Sequence, residues 1–257
     1  VSYGACGMPY NIADPERDVS DLVVVSADDF RNKRGLDLRL GHRAVEIKRD
    51  EKRVTGKTDE GADFEVDYDV LVLATGSRAV KPSVPGMDPS VCMCLRTLED
   101  CGNIKSHLCE DGCRKAVILG GSYLGTELAE VLSCRGMEVT IVKRSPVLLR
   151  NIPEEMDGLL REELEKNNVN IIHGKKIERI EKGPPSKVVL SDGELFADIV
   201  LLATGFEPRS ELARNAGLEL GAGGAVAVDR YGRTSDPHIF AAGDCSDGFH
   251  HITGERV

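Results

Sequence analysis
The residues best suited to chemistry fall in four places along the chain. Cys6 stands among small residues in Val1-Ser-Tyr-Gly-Ala-Cys-Gly-Met-Pro-Tyr10, where Pro9 suits the first turn of a helix. A helix starting there would set Cys6 near its positive end, where a thiolate is favoured and becomes nucleophilic. By spacing alone Cys6 would equally be one ordinary thiol among eight. The stretch Gly120, Gly121, Ser122, Tyr123, Leu124, Gly125 is a small-residue turn of the kind that brings backbone close to phosphate. It matches G-x-G-x-x-G imperfectly, because Ser122 carries a Cβ at the middle position. Lys143 and Arg144 end the next apolar run. Asp244 follows Gly243 after a short apolar run that begins at Ile239.

The elements that must position these groups read clearly around the glycines. Ala116 to Leu119 is a strand, and Leu124, Leu128 and Leu132 recur as one face of a helix. Val139 to Val142 is a second strand. This is a βαβ unit with a pyrophosphate site at its helix N-terminus. At the end of the second strand an NAD site usually carries an acid for the ribose hydroxyls, whereas a 2′-phosphate calls for cations. Lys143 and Arg144, with Arg150 further on, therefore favour NADPH over NADH, although the pair would also suit a solvated surface.

Composition excludes several classes. The chain has 257 residues, 41% of them hydrophobic, enough for one large domain or two smaller ones. A formal net charge of −10 argues against nucleic acid as a partner. No apolar run is long enough to span a bilayer, so no membrane partner is expected. The eight cysteines do not follow a small secreted scaffold, which favours a reducing cytoplasm with free thiols. Cys92, Cys94, Cys101, Cys109 and Cys113 crowd the linker segment that joins the domains, but no C-x-x-C pair is present and a helix is expected across Leu98 to Lys105, so no metal site is assigned. Cys134 is expected to pack on the helix that follows Gly125.

The same plan occurs twice. A polar helical segment at Asp28 to Arg34 precedes strands at Leu36 to Leu40, Arg43 to Lys48, Arg53 to Thr58 and Asp63 to Val66, and then the run ending Ala74-Thr75-Gly76. Later, a helix with Met156, Leu159, Leu160 and Leu164 on one face precedes strands at Val169 to His173, Ile177 to Ile180 and Lys187 to Leu190, and then the run ending Ala203-Thr204-Gly205. The repeat stays in register apart from the length of one hairpin, and the first-copy counterpart of Gly120 would fall before Val1. The fold expected is α/β: two Rossmann-like domains with β-hairpin insertions, the first lacking a βαβ unit at its start.

Cys6-Gly-Met-Pro-Tyr10, Leu73-Ala-Thr-Gly76, Gly120 to Glu127, Ala203-Thr-Gly205 and Ile239-Phe-Ala-Ala-Gly-Asp244 together resemble the flavin-dependent pyridine nucleotide-disulfide oxidoreductases. The single cysteine most resembles the coenzyme A disulfide reductase branch. The resemblance implies an FAD domain, residues 1–113 with a return segment at 226–257, interrupted by an NAD(P) domain at 114–225. It implies that an N-terminal FAD-pyrophosphate unit and a C-terminal dimerisation domain lie outside this sequence, with a homodimer expected for the longer protein. It further implies that Gly243 and Asp244 serve the flavin ribityl chain and that Tyr123 and Glu127 gate and orient the nicotinamide. Both Ala-Thr-Gly turns would pass close to cofactor.

The activity implied runs from NADPH or NADH through FAD to Cys6 and a small-molecule disulfide or persulfide, with coenzyme A favoured. The residue five places after Cys6 is Asn11, so a two-cysteine loop is excluded and Cys6 must form its disulfide with something else or cycle through a sulfenic acid. NADH oxidase, peroxidase and polysulfide reductase share these features. A non-catalytic NADP-binding fragment is the alternative from another class.

Overall fold
A computed structural model describes residues 2–110, 112–149 and 152–257, so Arg150 lies outside the described residues. The chain divides into two compact units, Val1–Lys33 with Ala79–Gly205, and Arg34–Arg78 with Phe206–Val257.

The first unit is a five-stranded parallel sheet of β1 (Cys92–Cys94), β2 (Lys115–Leu119), β3 (Glu138–Lys143), β4 (Val169–His173) and β5 (Ile199–Leu202), in the order β4-β3-β2-β5-β1. A parallel sheet buries both faces, so its strands read as unbroken apolar runs whose alternate residues point to opposite sides. Ile118, Ile141, Ile199 and Leu201 enter a core with α1 (Met8–Ala13), α2 (Leu98–Leu108) and α3 (Tyr123–Cys134), through Met8, Ile12, Ile104, Leu128 and Leu132. Val117, Leu119, Val142, Val200 and Leu202 enter a second core, closed by an antiparallel meander at Ile177–Glu181, Ser186–Leu190 and Gly193–Ala197. The βαβ unit, its crossover helix and the parallel sheet stand as the periodicity requires, and the fold is Rossmann-like.

The second unit holds an antiparallel meander, His42–Lys48, Arg53–Thr58 and Asp63–Asp67, and a parallel pair, Leu71–Leu73 with Ile239–Ala241. Its core gathers Ile47, Leu73, Val226, Val228, Ile239 and Ala241 against the short helix α5 (Glu211–Asn215). Arg49 Nε donates to Asp236 Oδ2 at 2.8 Å, and Arg78 forms ion pairs with Glu207 and Glu211, both at 2.6 Å.

Four expectations are corrected. Residues 36–40 form no strand: Leu36 and Leu40 are exposed, Leu38 N–H turns back to the Leu36 carbonyl, and Arg39 pairs with Asp37, so local bonds replace a ladder. On α4 (Glu154–Lys166) Met156 and Leu159 are exposed, while Asp157 is buried beside the inward-facing Leu160 and Leu164. The Asp157 carboxylate accepts from the Leu148 and Leu149 amides at 2.7 and 2.9 Å and from Arg161 Nε at 2.9 Å. Burial alone would raise its pKa, but those partners outweigh burial and hold it below the ordinary value. Cys134 is exposed at the end of α3 and lies outside the buried core. Cys92–Cys94, read only as a linker, is the edge strand β1, in register with β5 through Val200 and Cys92.

One buried charge ties α1 to α2. Lys105 on α2 is 8% exposed, and its ammonium donates to Asn11 O at 3.0 Å, Asn11 Oδ1 at 3.1 Å, Asp14 O at 2.8 Å and Arg17 O. Four oxygens and no carboxylate satisfy it. A buried acceptor stripped of its donor costs about 1–3 kcal/mol, so Lys105→Met is expected to lower unfolding free energy by about 2–4 kcal/mol in urea titrations. A loss under about 1 kcal/mol would mean that water already serves those carbonyls.

Candidate nucleotide-binding site
The β2–α3 turn is built by backbone crowding. Gly120 has φ +106°, and a Cβ there would collide with the Ala203 carbonyl at the end of β5. A Cβ at Gly125 would collide with the Gly120 carbonyl. Only glycine fits either place. Ser122 is different: as the N-cap of α3 it is extended, φ −91° and ψ 175°, and its Oγ accepts from the Gly125 amide at 3.3 Å. The middle position of the fingerprint therefore has no need of glycine here, and its hydroxyl caps the helix. The amides of Tyr123 and Leu124 begin the helix and have no partner within it, which leaves two donors at its positive end.

These groups open on a cavity of about 640 Å³. Gly120, Gly121 and Ser122 form its floor, with Ala203 and Thr204 beside them, and Lys143, Arg144 and Ser145 at the end of β3 form one wall. Lys175, Lys176 and Ile177, which follow the neighbouring strand β4, also line the cavity. Among the described residues four cations and no carboxylate line the cavity, in a chain whose net charge is −10. Volume, donors and charge fit a dinucleotide phosphate. Lys143 does not project freely: its ammonium donates to Gly121 O at 3.2 Å and to Leu148 O. Lys175 is paired with Asp192. Lys175 and Lys176 escaped the sequence reading, although Gly174-Lys-Lys after an apolar strand was a visible signal.

The two Ala-Thr-Gly turns use one device. Thr75 Oγ1 donates to Arg209 O at 2.6 Å while the Arg209 amide donates to Gly76 O at 2.9 Å. Thr204 Oγ1 donates to Val80 O at 2.6 Å while the Val80 amide donates to Gly205 O at 3.0 Å. Both threonine hydroxyls are thus spent on backbone. In the second unit Asp244 Oδ2 accepts from Ser77 Oγ at 2.9 Å, which brings the Gly243 turn to the turn that Ala74, Thr75 and Gly76 make. Gly243 has φ +79° and Gly76 φ +68°. The Asp244 carboxylate is exposed, and that pair of glycine turns is the feature that fits a flavin side chain. Ser77, missed in the sequence, is its anchor.

The remaining candidates sit apart from the cavity lining. Tyr123 is 57% exposed on the first turn of α3, and Glu127 lies one turn on, its pKa raised by burial and by Glu130. Cys6 is exposed on a 3₁₀ turn, Ala5–Gly7, that leads into α1, with Pro9 in the first turn as its sequence implies. Among the described residues no cluster of three or more His, Cys, Asp or Glu is placed to hold a metal, and no helix is long and apolar enough to cross a membrane.

A glycine-floored cleft at the helix end of a parallel βαβ sheet defines a dinucleotide-binding α/β protein. Residues 1–254 match the model of the pyridine nucleotide-disulphide oxidoreductases, and the chain belongs to that family. Proteins of this family use FAD and NAD(P)H. Over its whole length the chain is 32% identical to an NADH oxidase of Methanocaldococcus jannaschii and 34% identical to a CoA-dependent NAD(P)H sulfur oxidoreductase of Pyrococcus abyssi, covering 58% and 57% of those proteins. It also superposes in full, with a TM-score of 0.95 and 31% identity, on reduced CoADR-RHD of Bacillus anthracis, covering 46% of that chain. The chain thus spans about half the length of the relatives it matches.

The thiols differ sharply in environment. Cys6, Cys109 and Cys134 are exposed, whereas Cys92, Cys101 and Cys245 are buried. Burial, with Asp198 and Glu110 nearby, pushes the Cys113 thiol up to about 11. Thiolates are the species that alkylate. Brief iodoacetamide treatment at pH 7.5, read by peptide mass spectrometry, is expected to label Cys6, Cys109 and Cys134 and to spare the other five until the chain unfolds. Early labelling of Cys113 or Cys101 would contradict this packing.

Proposed function
We propose that this chain carries the nucleotide cleft and the reactive thiol of a flavin-dependent oxidoreductase that draws electrons from NAD(P)H, NADPH being favoured, and reduces a low-molecular-weight disulfide or persulfide, coenzyme A disulfide first among them. The observation that carries the reading is the cation-lined cavity at the N-terminus of α3, in a chain that matches the family almost end to end. FAD, when bound, supplies the two-electron chemistry between nicotinamide and sulfur. Residues 1–113 and 226–257 are assigned to its domain and 114–225 to the NAD(P) domain.

The chain's own residues have these parts. Gly120, Gly121, Ser122, Leu124 and Gly125 hold the pyrophosphate against backbone donors, with Ala203, Thr204 and Gly205 beside it. Tyr123 covers and Glu127 orients the nicotinamide. Asp244, held by Ser77 and set by Gly243, accepts hydrogen bonds from flavin hydroxyls near Ala74, Thr75 and Gly76. The Cys6 thiolate attacks one sulfur of RS–SR; the new bond is Cys6–S–SR and the thiolate RS⁻ leaves. Two electrons from NAD(P)H, with a proton from solvent, then return the mixed disulfide to the Cys6 thiolate and RSH. The working protein is proposed to be a cytoplasmic homodimer.

An NADH oxidase activity is the second reading, favoured by the Methanocaldococcus jannaschii relative. Reduction of peroxide or oxygen would then replace the disulfide as the fate of the electrons. The test is the visible spectrum of the purified protein before and after anaerobic NADPH, together with disulfide turnover by Cys6→Ser. A flavin band that bleaches is expected in both wild type and variant, with coenzyme A disulfide reduction down by at least about a hundredfold in the variant. Undiminished disulfide reduction by Cys6→Ser would end the thiol relay, and a colourless protein would leave only nucleotide binding.

A further inference from the structure
The four cations of the cleft are not equivalent. Lys143, at the end of β3, is the one that sequence position nominates for a 2′-phosphate, yet its ammonium is committed to the Gly121 and Leu148 carbonyls and its stem packs on Gly121. It braces the glycine turn from beneath. Lys175 is neutralised by Asp192. Arg144 and Lys176 line the same cavity, from the chain leaving the neighbouring strands β3 and β4, and their side chains have no hydrogen-bonded or ionic partner among the described residues. Among the described residues no carboxylate lines the cavity to compete for them.

We infer that Lys176, on the turn between β4 and the meander that begins at Ile177, acts with Arg144 as the selectivity pair for a 2′-phosphorylated adenosine, and that Lys143 serves the turn instead. The physical case is a difference in cost. Turning Lys143 outward would strip two carbonyls of their donor, whereas Lys176 and Arg144 exchange only water for phosphate. Arg144 offers a planar fork and Lys176 a mobile point charge from the next connection, so a dianion at this edge of the cavity can be met by both. A 2′-hydroxyl in the same place would leave both cations without an anion, which is how the pair discriminates.

This inference rests on the cavity being the NAD(P) site, and binding of nicotinamide-free fragments separates the two. Calorimetric titrations with adenosine 2′,5′-bisphosphate and with 5′-AMP would be run on the wild type and on Lys176→Gln, Arg144→Gln and Lys143→Gln. The wild type is expected to favour the bisphosphate by at least about tenfold, the worth of one charge-assisted hydrogen bond. Lys176→Gln and Arg144→Gln should each remove most of that preference while changing 5′-AMP affinity by less than about twofold. Lys143→Gln should weaken both nucleotides together and lower the melting temperature. Retention of the full preference by Lys176→Gln would overturn the inference and leave the cleft standing. Equal binding of the two nucleotides by the wild type would overturn it too, and failure of either to bind would remove the cleft reading itself.

Discussion

Three backbones meet at the β2–α3 turn, and the rest of the first unit is arranged so that they can. The Gly120 amide donates to Val142 O at 2.9 Å, the Ala203 amide donates to Leu119 O at 2.8 Å, and Gly125 stands against the Gly120 carbonyl. No side chain can be inserted at Gly120 or Gly125 without breaking this contact. The adjacent strands β2, β3 and β5 must therefore end level with one another, which their register provides: Leu119 lies opposite Val142 and Leu202. A cavity opens at that level because the strands stop there and their connections splay apart. The cations around it come from chain that leaves β3 and β4, so the sheet order decides which charges share a wall. That is why Lys175 and Lys176, more than fifty residues from the glycines in sequence, belong to the same cavity.

The internal repeat has a mechanical meaning that residue matching alone did not supply. In each copy the threonine hydroxyl and the glycine carbonyl clamp a passing segment of backbone, at Arg209 in one case and Val80 in the other. The clamp explains why threonine recurs at both turns: it contributes a donor that a serine could supply only with less restricted rotation. It also relocates the recognition burden. With their hydroxyls committed, Thr75 and Thr204 would, on the proposed reading, offer a cofactor shape and backbone and leave polar selectivity to neighbours such as Arg144, Lys176 and Asp244.

Sequence periodicity revealed most of the architecture because buried parallel strands leave long apolar runs and α3 leaves a regular leucine face. It misled where local chemistry imitates a pattern. Leu36, Leu38 and Leu40 alternate with polar residues, yet two exposed leucines and an Asp37–Arg39 pair show a segment folded on its own bonds. Met156 and Leu159 completed a plausible apolar stripe, but the helix is turned by the need of the Leu148 and Leu149 amides for the Asp157 carboxylate. No hydropathy pattern contains that requirement. The site was legible in kind through its glycines and the Lys143–Arg144 pair. Which cation is free was not, since that depends on carbonyls brought up by a loop.

Asn11 shows how far a single absent cysteine is built into the fold. It is fully buried: Nδ2 donates to Asp18 O at 2.9 Å, and Oδ1 accepts from Lys105 at 3.1 Å with the Cys101 thiol 3.8 Å away. A cysteine at this place, the partner a two-thiol relay would need, could accept only weakly and could not donate to Asp18 O in the same way. Lys105 would lose one of the four oxygens that its buried ammonium donates to. The helix that follows Cys6 thus spends the fifth position on holding α1 to α2. For the proposed relay the consequence is chemical: with that position closed to a second thiol, the sulfur that pairs with Cys6 has to arrive with the substrate.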